Sequence, residues 1–214
     1  ASRAEVAGSP VLGVEPEVLR RKKLVVPLDV HFVDGAERLR EHEVVQELHR
    51  DPEFFGELFK RLKASKPGDE DWNDLVGFLQ ELCTLARHLQ NASRLQVFST
   101  LQDHGLFDVL TDILIHGGEY SQLKAADVIM SSLQNDPAVL RDFMVQQASS
   151  AERNMLSELV RLFLVGSDGI QATYLEILLF LMDPETMEGT SSDKDKLLDI
   201  FYDKHMDAVV ARIT

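Results

Sequence analysis

Cysteine is almost missing from this chain. Cys83 stands alone among 214 residues, so no intrachain disulfide can form and a secreted, disulfide-stapled framework is excluded. Long apolar runs are missing too: no stretch approaches the roughly 20 residues that a membrane span needs. The first residues lack the apolar core of a signal peptide, and a reducing compartment, nucleus or cytoplasm, fits best. Positive charge is scarce, with 22 Lys and Arg against 36 Asp and Glu. Residues 1–50 are close to neutral, so the acidity belongs to the remainder. Phosphate backbones are bound by neutralising them with cations, so nucleic acid and anionic membranes are poor partners for such a surface. A basic protein partner fits it better.

What is present is helical. Residues 1–34 read as a tether and extended segment, punctuated by Gly8, Ser9, Pro10, Gly13 and Pro16. The run Arg20-Arg21-Lys22-Lys23 reads as a solvated helix end before a nuclear-import signal. Pro27 and the lack of a partner strand make Leu24–Val33 a loop rather than a strand. Residues 35–214 carry the helical apolar period. Leu39, Val44, Val45 and Leu48 suggest a first helix or broken pair. Asp51-Pro52 then reads as N-cap and first helical residue. Phe55, Leu58, Phe59 and Leu62 recur at i, i+3, i+4, i+7, one buried stripe. Lys66-Pro67-Gly68-Asp69 ends it. Further helices are predicted at about 72–90, 94–103, 106–116, 120–134, 137–147, 153–165, 169–182 and 194–212. Gly105, Gly117-Gly118 and Gly166 fall between them, where a left-handed C-cap favours glycine.

The helices repeat. A shift of 48 residues aligns Gly77, Ala125 and Thr173 as a small position, and Phe78 with Ala126 and Tyr174. It also aligns Leu82 with Met130 and Leu178, and Leu85 with Leu133 and Leu181. These recurrences define one buried face per unit. Asp136-Pro137 and Asp183-Pro184 close successive units alike. A period of this length, built from two or three helices, predicts an all-α solenoid of armadillo or HEAT type.

No catalytic constellation accompanies the repeats. The seven histidines form no metal-binding helix motif, and His42 with His49 reads as a solvated pair. Cys83, between Leu82 and Leu85, is a small buried hydrophobe rather than a nucleophile. Asp69-Glu70-Asp71 with Asp74 favours a helix N-terminus. Asp193, Asp195 and Asp199 lack the glycine and terminal glutamate of a calcium loop. Trp72 reads as a core anchor. No enzyme, cofactor or metal is expected; a chain of stacked helices works by its surface.

Three passages carry a resemblance. Asp51-Pro52-Glu53-Phe54-Phe55-Gly56-Glu57-Leu58-Phe59 precedes Leu75-Val76-Gly77-Phe78-Leu79-Gln80-Glu81-Leu82-Cys83. Lys124-Ala125-Ala126-Asp127-Val128-Ile129 runs on through Asp136-Pro137 and Arg141 to Gln146. Phe201-Tyr202-Asp203-Lys204-His205-Met206 closes the domain. In this order they resemble the helical-repeat domain of the Smek/falafel family, regulatory subunit three of protein phosphatase four. The resemblance implies an armadillo-like fold and no catalysis by the chain itself. It further implies assembly with the catalytic subunit and a second regulatory subunit of a serine/threonine phosphatase, and so substrate targeting. A generic armadillo adaptor for peptides or proteins is the alternative; an asparagine ladder along the third helices would favour it, and no regular one is present. The family's upstream EVH1 domain has no counterpart in these 214 residues. Within the matched passages, Asp127, Arg141, Gln146, Tyr202, Lys204 and His205 are the candidate partner contacts. Asp127 and Arg141 could equally cap helices or pair with each other. Ala126, Leu133, Phe143 and Leu181 are assigned to packing.

Overall fold

A computed structural model describes Val45, Asp51 and residues 53–150, 154–183 and 191–213. The tether, the basic run, the Leu24–Val33 loop, His42, His49 and Pro52 lie outside these residues, as does all of the first predicted helix except Val45. Val45 is helical and buried.

Nine helices occur among the described residues: α1 (Phe54–Ala64), α2 (Glu70–Ala86), α3 (Asn91–Asp103), α4 (Leu106–His116), α5 (Glu119–Asn135), α6 (Pro137–Ser150), α7 (Met155–Val165), α8 (Asp168–Met182) and α9 (Ser191–Ile213). No strand is found among these residues. The repeat has three helices, of which α3-α4-α5 and α6-α7-α8 are complete copies. α1 and α2 correspond to the last two helices of a preceding unit, and α9 to the first of a following one. Like helices stack on like: α2, α5 and α8 lie side by side, α1, α4 and α7 form a second row, and α9 packs on α6. This is the armadillo-like solenoid that the 48-residue period predicts.

Local chemistry sets the helix ends. Asp51 Oδ1 accepts the Glu53 N–H at 3.2 Å and its carbonyl accepts Phe54 N–H, but α1 opens at Phe54 with Glu53 in the N-cap position, two residues later than predicted. The stripe Phe55, Leu58, Phe59, Leu62 is wholly buried. Gly68 turns the chain with φ +90°, a conformation that a side chain disfavours. At α7, Asn154 and Ser157 form a reciprocal capping box that satisfies two orphan donors. Glu70 and Asp71 fall in the first turn of α2, where the helix dipole favours them as predicted. Asp69 makes no side-chain cap, while Asp71 accepts from Arg61 Nη2 at 2.7 Å and Ser65 Oγ at 2.9 Å, tying α2 to α1.

The 48-residue register holds in three dimensions. Phe78, Ala126 and Tyr174 are all buried, as are Leu82 with Leu178 and Leu85 with Leu133 and Leu181; Met130 is only partly buried. Trp72 and Cys83 lie in the same core. Burial pushes the Cys83 thiol up to about 12, which keeps it protonated and unreactive. Phe143 packs on Phe107 with ring centroids 5.1 Å apart, joining α6 to α4.

The glycines correct the prediction. Gly105, at φ +88°, is left-handed, but Gly117 and Gly166 are extended at φ −73° and −70°, as is Gly118. Glycine is needed at Gly166 for space: a Cβ there would sit 2.3 Å from Ile170 Cγ2 and 2.6 Å from the Leu162 carbonyl. Gly117 is similarly confined by the Ile113 carbonyl and Trp72. Gly166→Ala is therefore expected to cost about 1–3 kcal/mol, as overpacking does. Gly169→Ala, in open space on the first turn of α8, should be neutral or stabilising. Urea denaturation of the two variants checks the pair; equal stabilities would refute the spatial account.

Candidate functional site

The α2–α5–α8 row carries a ladder of polar side chains that bond across repeats. Each rung joins residues close to one period apart. Ser121 Oγ donates to Asn73 Oδ1 at 2.7 Å, and Ser167 Oγ donates to Glu119 Oε1 at 2.6 Å. Gln80 Nε2 donates to Asp127 Oδ2 at 3.2 Å, while Lys124 Nζ donates to Gln80 Oε1 at 3.0 Å. Arg87 Nη1 donates to Gln134 Oε1 at 3.2 Å. Beneath the ladder, buried Ser131 and Ser132 return their hydroxyls to the carbonyls four residues back, so these polar groups are satisfied within α5. Tyr174 Oη donates to the Gln122 carbonyl at 2.7 Å, a bond from α8 to α5.

The cations of this row are engaged. Lys124, besides bonding Gln80, lies over the Tyr120 ring at 5.6 Å from its centroid. Tyr120 is 58% exposed, and its hydroxyl comes within 3.6 Å of where a side chain at Gly77 would begin. The small position predicted from the repeat thus leaves room on α2 for a ring from α5. Carboxylates remain on the surface: Asp74 on α2, Asp127 on α5, and Asp168 and Glu176 on α8 are exposed.

Asp127 is the candidate residue that the structure places on this row. Desolvation raises its pKa, against the opposing pull of Lys124, Arg87 and the Gln80 hydrogen bond. A carboxyl whose folded pKa lies above its unfolded value binds more protons when folded. Its contribution to stability is present at low pH and is lost as pH rises from the unfolded value of about 3.9 through the raised one. Asp127→Asn is expected to remove that loss, giving a smaller fall in stability between about pH 4 and neutrality. Urea titrations across that range check it; an unchanged pH profile would contradict the assignment.

The other candidates lie elsewhere. Arg141 on α6 is buried, with Asp183 as an opposing charge; desolvation lowers its pKa and Asp183 resists the shift. It lies within the fold beside Asp183 and does not pair with Asp127, which turns to Gln80. Gln146 is exposed on α6. On α9, Tyr202 is 56% exposed, and Lys204 Nζ donates to the Ala148 carbonyl at 3.0 Å, fastening α9 to α6. His205 is partly buried beside Phe201, and its pKa is lowered by desolvation and then by Lys204. Five of the six candidates thus lie on the packed pair α6 and α9, and Asp127 lies apart on α5. Ala126, Leu133 and Leu181 are buried, and Phe143 is partly buried in the core, as assigned.

Sequence reasoning missed a pair of leucines. Leu175 and Leu179, one turn apart on α8, are 38% and 63% exposed. A shift of one period places them opposite Asp127 and Ser131 of α5. On α2 the same two positions are Leu79 and Cys83, both fully buried, so the register marks them as stacking positions of the row.

No group of three His, Cys, Asp or Glu side chains is placed to hold a metal ion among the described residues. A row of stacked third helices whose side chains bond from repeat to repeat defines a helical-repeat protein. The family model for phosphatase 4 regulatory subunit 3 matches residues 39–214, and the chain belongs to that family. It is 30% identical over 170 residues to the protein named suppressor of Mek1 from Dictyostelium discoideum, covering 79% of this chain and 16% of that protein. It is 26% identical to protein PPP4R3C1 from Mus musculus, over 79% of this chain and 22% of that one. It is also 26% identical to the serine/threonine-protein phosphatase 4 regulatory subunit 3 of Drosophila melanogaster, over 80% of this chain and 18% of that protein. The chain thus spans about a fifth of these relatives' length. No solved structure matches it.

Proposed function

We propose that this domain is a non-catalytic scaffold of a phosphatase 4 complex, holding the catalytic subunit and a second regulatory subunit and so directing dephosphorylation of serine and threonine. The observation that carries the reading is the match to the regulatory-subunit family along nearly the whole repeat region, residues 39–214. The mechanism is geometric. Each stacked repeat is fixed to its neighbour by side-chain bonds such as Gln80–Asp127 and Tyr174–Gln122. A subunit bound to one stretch of the solenoid is then presented at a fixed distance from a ligand on another, which raises their effective concentration without any new contact between them.

The test is a pull-down of purified phosphatase 4 catalytic and second regulatory subunits on this chain. Tyr120→Ala and Tyr202→Ala run alongside, each shown to be folded by circular dichroism. Both rings are more than half exposed, so their removal should spare the fold. Stable capture, weakened about tenfold or more by either variant, supports the scaffold and locates its surface. Failure of both subunits to bind at micromolar concentration would refute it.

A further inference from the structure

One surface differs in sign from the rest of the chain. Against 22 Lys and Arg and 36 Asp and Glu overall, Lys60, Arg61, Lys63 and Lys66 fall within seven residues at the end of α1. Arg61 is turned to Asp71 of α2, but Lys63 and Lys66 make no ion pair and no side-chain hydrogen bond among the described residues. Lys60 reaches Glu57 at 3.6 Å with both side chains more than half exposed, a pair of little strength that another carboxylate can replace. Lys60 and Lys63 border a cavity of about 470 Å³ between α1 and the turn that joins α3 to α4. Its other walls are Gly56, Phe59 and Ala64 of α1 and His104, where α3 ends. The His104 ring lies nearly parallel to that of Phe59, with centroids 6.0 Å apart, and its Cε1 is 3.6 Å from where a side chain at Gly56 would begin. Lys63 Nζ stands 3.4 Å from the corresponding point at Gly105, as does Asp108 Oδ2, with which it forms no ion pair. The cavity lies between one repeat and the next and takes a wall from each.

We infer that this cavity takes a large apolar side chain, flanked by aspartate or glutamate, from a segment of a partner protein. The apolar side chain enters against Phe59, Ala64 and His104, and the carboxylates on either side meet Lys60 and Lys63. Its burial supplies the part of the affinity that salt does not screen, and the lysines select the sign of the segment. The net acidity of the rest of the chain sharpens that choice, because it repels the same carboxylates wherever else they land. The inference concerns the joint between α1 and the α3–α4 turn, and it does not rest on which subunits the scaffold holds.

An unlabelled peptide, Glu-Glu-Phe-Glu-Glu, is titrated into the isotope-labelled 214-residue chain at physiological salt, and backbone amide shifts are followed by NMR. The expected result is saturable binding, with the shifts centred on α1 and on His104. Affinity falls about tenfold or more in the Lys60→Glu/Lys63→Glu variant and severalfold in Lys60→Gln/Lys63→Gln, both checked for folding by circular dichroism. Lys196→Glu, an exposed lysine on α9, leaves affinity unchanged. Equal binding of the peptide with serine in place of phenylalanine would reduce the effect to bulk charge and overturn the proposal. So would equal binding of a lysine-for-glutamate peptide, or unchanged affinity in both double variants. The absence of saturable binding up to about 1 mM peptide would overturn it outright. A dimer in sedimentation that dissociates with Lys60→Glu/Lys63→Glu would show that a second copy of this acidic chain is the occupant, which also overturns it.

Discussion

Replacing Tyr174 with alanine is expected to lower stability by about 3–5 kcal/mol, the range for truncating a fully buried aromatic. Tyr174 has no solvent exposure and sits at the junction of α8 with α5. Truncation removes the ring that fills the third-repeat equivalent of Phe78 and Ala126, and it also removes the hydroxyl that bonds the Gln122 carbonyl. Burial pushes the phenol's pKa well up, so the hydroxyl remains a donor throughout the physiological range. Tyr174→Phe separates the two losses: it keeps the ring and gives up one hydrogen bond, about 1 kcal/mol. Urea denaturation of both variants measures the difference. A loss of under about 1 kcal/mol in the alanine variant would mean that the α5–α8 junction is not packed as described.

Arg141→Glu has the next largest expected effect, about 3–5 kcal/mol, and on stability rather than on partner binding. The guanidinium is buried on α6 near Asp183, where α8 ends. A carboxylate there would be desolvated and would face a second carboxylate. Tyr202→Ala, by contrast, removes a ring that is 56% exposed and should stay within about 0.5 kcal/mol of the parent. Thermal unfolding of the two variants decides whether these residues of the matched passages play different parts. A folded Arg141→Glu protein of parental stability would return Arg141 to the surface.

The helices were legible because their apolar residues recur on one face, and the repeat was legible because that face recurs. Where boundaries moved, the period was misleading or silent. Leu89 is buried, so the pattern continues to it, yet α2 ends at Ala86 and the chain goes on through turns in which His88 bonds back to Leu85 and Leu89 to Ala86. At the start of α3, Asn91, Ala92 and Ser93 carry no apolar signal, and the helix began three residues earlier than predicted. Glycine was read correctly as a boundary marker but for the wrong cause at Gly117 and Gly166. The crowding there comes from the Ile113 and Leu162 carbonyls and from Ile170, each four residues away along the chain, with Trp72 alone brought near by the fold. The candidate site was less legible. A motif shared with a family does not separate a buried arginine from an exposed tyrosine. Partners such as Gln80 and Asp127 lie 47 residues apart, so pairing them needs the stacking register and not merely the period.

The shortness of the links between neighbouring repeats also governs how the chain reaches this structure. Lys204 and Ala148, bonded between helices, are 56 residues apart, and bonds such as Ser121–Asn73 and Ser167–Glu119 span one period of 48. No step in forming the described domain requires its two ends to meet, so no large loop-closure entropy has to be overcome before contacts begin to compensate it. Any two adjacent repeats can serve as a nucleus, and the remainder can add outward in either direction, one unit at a time. For a chain emerging from the ribosome this permits folding to keep pace with synthesis, each new trio of helices closing on the one already in place.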